Sequence, residues 1–288
     1  MIPRVPFTPR QLVMRGTAAV LIALAAGFVL NLTVLSHVQH FAAQQQLMNE
    51  FRDQLALGTA PVSEGTFEDV LLSDGDPVAI LIIPSLNVRE VIVEGTSSAD
   101  LTKGPGHRRD TVLPGQAGIS VIMGRAASYG GPLSRIQELA PGDRFSVITG
   151  QGRSMYSVIG VRYAGDVSPP AIGAGEGRLI LETARGPAFI PTGIARVDAQ
   201  LVTEPNASGK RQTSYASLPL EERELATDSR TAWALVFALQ FLVVTELATV
   251  WSLRTVGAQK TWVVAAPLLL FAVVLTADQI TRLLPNLL

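Results

Sequence analysis

The chain has 288 residues and no cysteine. That excludes disulfides, thiolate metal sites and thiol catalysis. No metal or other cofactor is expected. Charge is also scarce: Asp, Glu, Lys and Arg make up 16% of the sequence, against about 25% in a typical soluble domain. The net charge of −1 supplies no field to recruit nucleic acid. Hydrophobic residues reach 48%, although only 6% of residues are aromatic.

Three apolar runs account for the excess. The first, "GTAAVLIALAAGFVLNLTVLS", covers Gly16 to Ser36 without a charge, and Arg15 stands at its entrance. About 20 apolar residues are enough to cross a bilayer. A cleaved signal peptide is the competing reading, but its apolar core is shorter, about 7–15 residues with small residues at its end. Here bulky "HVQHF" follows, so an uncleaved anchor is expected. The second run is Thr231 to Leu253 and the third Thr261 to Ile280, joined by the basic "RTVGAQK". Basic residues collect on the cytoplasmic side of short loops. Arg4, Arg10 and Arg15 before the first span, with Arg254 and Lys260 between the others, give one orientation. The amino-terminal side is cytoplasmic, residues from about 37 to 230 lie outside, and the last residues lie outside. The expected location is the plasma membrane, as a multi-pass protein.

Between the spans the texture changes twice. Phe41, Leu47, Phe51 and Leu55 recur at helical spacing, which predicts an amphipathic stalk. A Ser-, Gly- and Pro-containing linker follows. From Val78 short β-branched runs alternate with turn residues. Strands are predicted at Val78–Ile83, Val88–Glu94, Gly118–Gly124, Arg144–Thr149, Met155–Tyr163, Arg178–Thr183 and Ala195–Val202. Seven or eight short strands in this length suggest a closed or half-closed barrel. Thr203 to Arg230 is polar and reads as a flexible tether.

The run from Gly75 to Val202 resembles a sortase, nearest to the actinobacterial class E type. The resemblance rests on "IPSLNV", "VEGTSSADLTKGPGH", "LPGQAG" and "YGGPLSRIQELAPGD", met in that order. It implies a mainly β fold, a sortase-like eight-stranded β-barrel domain with three transmembrane α-helices added. The expected division is a cytoplasmic segment 1–15, a span 16–36, a stalk and linker 37–74, the barrel 75–203 and a polar linker 204–230. Spans 231–253 and 261–282 then flank a cytoplasmic loop 254–260, and residues 283–288 form an outer tail.

The resemblance also implies transpeptidation carried by a histidine, a cysteine and an arginine. Arg125 stands at the histidine position, Ala184 at the cysteine position and Arg196 at the arginine position. A guanidinium does not act as an acid or base near neutral pH, and alanine has no nucleophile. The expectation is therefore that the chain is not an enzyme but an inactive scaffold or accessory subunit of an envelope complex. Two alternatives stay open: a receptor for sorting-signal-like peptides, and a transpeptidase with a nucleophile other than cysteine. Thr183 is adjacent to the vacant position but points to the opposite face. Ser128 and Tyr129 lie near the histidine position, neither with an evident base. His107, in "GPGH", reads as a surface-loop residue supporting a turn. Glu182 leaves the same strand face as Ala184, about 6.5–7 Å away, so an ion pair with Arg125 or Arg196 is expected.

Two acids fall inside the spans, Glu246 and Asp278. Intramembrane acids face a partner or a wet cavity. Asp278 is expected at the outer interface, and Glu246 nearer the cytoplasmic side. The partners expected are the lipid bilayer and other membrane or cell-envelope proteins, with no nucleic acid.

Overall fold

A computed structural model describes residues 9–66, 70–228 and 232–288. Residues 1–8, 67–69 and 229–231, which hold part of the predicted cytoplasmic segment, linker and second-span entrance, lie outside the described residues. The chain divides into two compact units, one from the described residues of 1–35 and 230–281, the other from 36–229 and 282–288.

The first unit is helical. It contains α1 (Pro9–Leu30), a π-helical turn at Asn31–Leu35, α3 (Ala232–Thr255) and most of α4 (Ala258–Arg282). Among the described residues, three helices are long and apolar enough to cross a membrane. Leu24 of α1, Phe241 and Leu242 of α3, and Ala272 and Val273 of α4 share one cluster. Gly27 allows the close approach of α1 to α4: a Cβ there would sit 2.3 Å from Val273 Cγ1. Small residues let membrane helices pack backbone to backbone in this way. At the π turn, Asn31 Nδ2 donates to Thr281 Oγ1 at 2.9 Å, with both residues buried.

The second unit is built on β1 (Pro77–Ile83), β2 (Val88–Glu94), β3 (Gly106–His107), β4 (Gly118–Met123), β5 (Arg144–Thr149), β6 (Gly152–Arg162), β7 (Gly177–Arg185) and β8 (Gly193–Leu201). They close a barrel in the order β1-β2-β3-β4-β7-β8-β6-β5. The β2–β3 and β4–β7 pairs are parallel and the others antiparallel. Closure leaves no free strand edge. Alternation along each strand sends one set of side chains inward. Leu81, Ile83, Ile92, Ile122, Phe145, Val147, Tyr156, Leu179, Leu181, Val197 and Ala199 form that core. Tyr156 stacks on Phe145 with ring centroids 5.5 Å apart, and its hydroxyl accepts the Gly115 N–H at 2.6 Å.

Part of the outer surface of the barrel is apolar as well, and other segments cover it. Helix α2 (Ser36–Leu57) lays Leu47 and Phe51 over Ile80 of β1 and Val91 and Val93 of β2. Gln44 fixes the register: it donates to the carbonyls of Val91 and Lys103 and accepts the Val91 N–H. Phe41, read as part of the same face, instead points outward. Its neighbour His40 takes the inward side instead, with Nε2 3.1 Å from Glu90 of β2.

The 204–230 segment, expected to be a flexible polar tether, runs along the barrel over its described residues. Arg211 donates to the carbonyls of Thr111 and Arg109, and Glu64 takes the N–H groups of Gln212 and Thr213. Polar anchoring of this kind leaves no apolar period in the sequence. The residues expected to form an outer tail, 283–288, likewise belong to the barrel unit.

Candidate functional site: an outer cleft over three strands

Strand pairing assembles the site. In register, Met123 of β4 lies beside Glu182 of β7, Glu182 beside Arg196 of β8, and Ala184 beside Ile194. Val121, Met123, Ala184 and Leu101 are buried in one apolar cluster, with Ile180 and Ile194 packed against it. This cluster is separate from the barrel core. It forms the floor of a cleft on the outside of β4, β7 and β8.

Glu182 and Arg196 meet across the strands, with Arg196 Nε donating to Glu182 Oε1 at 2.7 Å. Glu182 is 3% exposed, and burial pushes its carboxyl above the ordinary range against the opposing pull of Arg196. Its Oε2 has no hydrogen-bond partner among the described residues. The charges continue outward. Arg196 lies 3.8 Å from Glu224, and Arg108 bridges Glu224 at 2.9 Å and Asp110 at 2.7 Å. Glu224 comes from the segment read as a tether, so nothing in the sequence pattern signals its place here.

Arg125 does not pair with Glu182. It is fully buried, and its guanidinium donates to the Ser98 carbonyl and hydroxyl at 2.8 Å each and to the Ser128 hydroxyl at 3.0 Å. The same guanidinium lies over the Tyr129 ring, 5.1 Å from its centroid. Burial pushes its pKa down to about 10, so it remains a cation near neutral pH. The two serines that hold it were not singled out as a pair by spacing, because they reach it from different loops.

Residues 282–288 lie in this cleft. Leu287 and Leu288 are buried in the same cluster as Ala184, and Leu284 packs beside them. The Ala126 N–H donates to the Leu287 carbonyl at 2.8 Å. Ser128 donates to the Leu288 main-chain oxygen twice, from its N–H at 2.9 Å and its hydroxyl at 2.7 Å. Ser98 donates to the carbonyls of Arg282 and Leu284. Ala184 therefore shares an apolar cluster with this segment, and Arg125 is linked to it through Ser98 and Ser128.

The other sequence-derived residues fall elsewhere. His107 is fully buried in β3 rather than on the surface. Its Nδ1 lies 2.8 Å from Glu94 and its Nε2 2.9 Å from the Val112 carbonyl, which pins the turn after β3. Thr183 faces away from Ala184 and donates to the Gly124 carbonyl. Asp278 on α4 is buried. Glu246 is half-buried on α3.

Residues 81–186 match the family model of the sortase domain. Over 85 residues the chain is 34% identical to sortase D of Bacillus subtilis, a stretch covering 30% of this chain and 41% of that protein. The match thus spans less than half the length of that relative. Among solved structures, a sortase D5 transpeptidase of Clostridium perfringens is 20% identical with a TM-score of 0.46, covering 56% of this chain and 99% of that one. Sortase E1 of Streptomyces coelicolor is 25% identical with a TM-score of 0.41, covering 46% and 91%. The family-model and sequence matches correct the expectation that the chain is not an enzyme: the matched domain is that of an enzyme family. What the missing cysteine excludes is narrower, namely chemistry through a thiolate.

Proposed function

We propose that the barrel is a peptide-holding module of the sortase type, class E by its motifs, that serves a cell-envelope membrane complex as an accessory subunit. In this reading residues from about 37 to 228 stand outside the plasma membrane, and the hairpin of α3 and α4 packs against other membrane proteins. The observation that carries it is the apolar floor of Val121, Met123, Ala184 and Ile194, flanked by backbone N–H groups at Ala126 and Ser128. A floor that packs side chains beside donors that take main-chain carbonyls suits an extended or turned peptide. The ligand class is a sorting-signal-like peptide carrying leucine and proline.

The test is a titration of labelled Leu-Pro-containing peptides against the full chain in mild detergent, read by fluorescence polarisation. Saturable binding that Val121→Arg weakens at least ten-fold supports the reading. Absence of binding at high micromolar peptide, both in the full chain and in its Leu287→Ala/Leu288→Ala variant, overturns it.

A second reading, transfer of the bound peptide by a hydroxyl, is favoured by the match to an enzyme family. Ser98 and Ser128 are the hydroxyls beside the Arg125 cation. Cleaved or transferred peptide in the mass spectrum of the same mixtures, lost in Ser98→Ala or Ser128→Ala, would establish it. Product that survives both changes would refute it.

A further inference from the structure

We propose that Pro285–Leu288 is a built-in ligand of the cleft, read through Asn286, and that an outside peptide enters only by displacing it. The proposal rests on the cleft being a peptide site. It adds the identity of the resident ligand and the feature that is recognised.

Four observations place the segment as a bound peptide rather than as loose chain. It is turned, since the Leu288 N–H donates to the Pro285 carbonyl at 3.0 Å. It is deeply held: Asn286 and Leu287 are fully buried and Leu288 is 4% exposed. Its main-chain oxygens at Leu287 and Leu288 are taken by Ala126 and Ser128. Its single polar side chain is read by two carbonyls, with Asn286 Nδ2 donating to Thr96 at 2.8 Å and to Arg223 at 2.9 Å. The Asn286 N–H is satisfied as well, by the Ala226 carbonyl.

Two carbonyl acceptors around one side chain select a primary amide. Aspartate has the same shape but brings only acceptors, so it would face two carbonyls without a proton to share. Two leucines after the amide then fill the apolar floor. The recognised element is accordingly a Pro-Asn turn followed by two apolar residues.

Tethering strengthens the resident. A segment on the same chain competes at an effective concentration in the millimolar range when its linker is short. If the cleft is filled about nine-tenths of the time, the apparent Kd of any outside peptide rises about ten-fold.

The experiment compares the full chain with Asn286→Asp and with Leu287→Ala/Leu288→Ala, all in mild detergent. The probe is the labelled peptide Arg-Leu-Leu-Pro-Asn-Leu-Leu, with a control in which aspartate replaces asparagine. Hydrogen exchange over residues 124–129 is read in parallel. The expected result is exchange that speeds up in both variants, probe affinity that rises at least ten-fold in both, and no binding of the control. Equal probe affinity for all three proteins overturns the built-in ligand and leaves the peptide site standing. Exchange that does not change in either variant also overturns it, because Ala126 and Ser128 would then owe their protection to something else. Faster exchange without probe binding to any protein sinks the peptide site, and the built-in ligand with it.

Discussion

Replacing Arg196 with methionine removes the cation that faces Glu182 while keeping most of the side chain's bulk. Glu182 is 3% exposed, and its nearest cationic atom is Arg196 Nε at 2.7 Å. A carboxylate left behind in that place has one escape, which is to take up a proton. The cost of that proton sets a ceiling. With an ordinary carboxyl value of 4.5 and about 1.36 kcal/mol per pH unit, the ceiling is about 3.4 kcal/mol at pH 7 and about 1.4 kcal/mol at pH 5.5. The carboxyl is already raised in the folded protein, so its ionised form already carries part of this cost and the measured loss falls below the ceiling. The sign follows from the same shift. A raised carboxyl contributes stability that is full below its unfolded value and is lost as pH rises through its folded value. Removing Arg196 raises Glu182 further and steepens that loss. Glu182→Gln acts oppositely: the amide oxygen still accepts from Arg196 and no buried charge is stranded, so stability should stay within about 1 kcal/mol of wild type. Urea unfolding of the detergent-solubilised chain, read by pulse proteolysis at pH 5.5 and 7, measures both. An Arg196→Met loss that does not shrink at pH 5.5, or a Glu182→Gln loss as large as that of Arg196→Met, would refute the reasoning.

Three further outcomes are expected. Burial first, then Asp74, lifts Glu222 to about 7, with Arg109 opposing and Asp100 and Glu94 adding to the lift. Its stabilising effect is complete below about pH 4.5 and disappears as pH rises through 7. Proteolysis of residues 204–228 should therefore accelerate between pH 6 and 8, and Glu222→Gln should flatten that rise; a slope unchanged by the substitution would contradict it. Phe51→Ala empties a fully buried site between α2 and the barrel, at a cost of about 3–5 kcal/mol; hydrogen exchange should quicken in Ser36–Leu57, and unaltered protection there would count against the packing described. A reporter active only outside the cytoplasm should be on when fused after Leu288 and off within 254–260; the reverse pattern would overturn the orientation.

The strands were legible because alternation of β-branched residues is a local signal. Seven of the strands lie within a few residues of their sequence-derived limits. The exception is β3, whose two residues are too few to show a period. Period two also placed Glu182 and Ala184 on one face. The remaining features depend on contacts between distant residues. Arg125 and Glu182 looked like partners because the resemblance puts both near the vacant cysteine position, yet Ser98 and Ser128 take the guanidinium. The 204–228 segment carries Glu224 to the cleft through isolated polar bonds, and polarity alone reads as a tether. The six residues after Arg282 were too short to be read as anything but a tail, and their meaning lies in the backbone groups of Ala126 and Ser128 that meet them.

In the proposed function the outer cleft over β4, β7 and β8 holds a peptide. Because the chain has no cysteine, Ala184→Cys places a single thiol on the floor of that cleft. The decisive measurement is its alkylation rate in the full chain, alone, combined with Asn286→Asp, and in that double variant with saturating Arg-Leu-Leu-Pro-Asn-Leu-Leu. The expected result is a slow rate, then one at least ten-fold faster, then a return to the slow rate on adding peptide. A rate in the double variant that peptide leaves unchanged would contradict it.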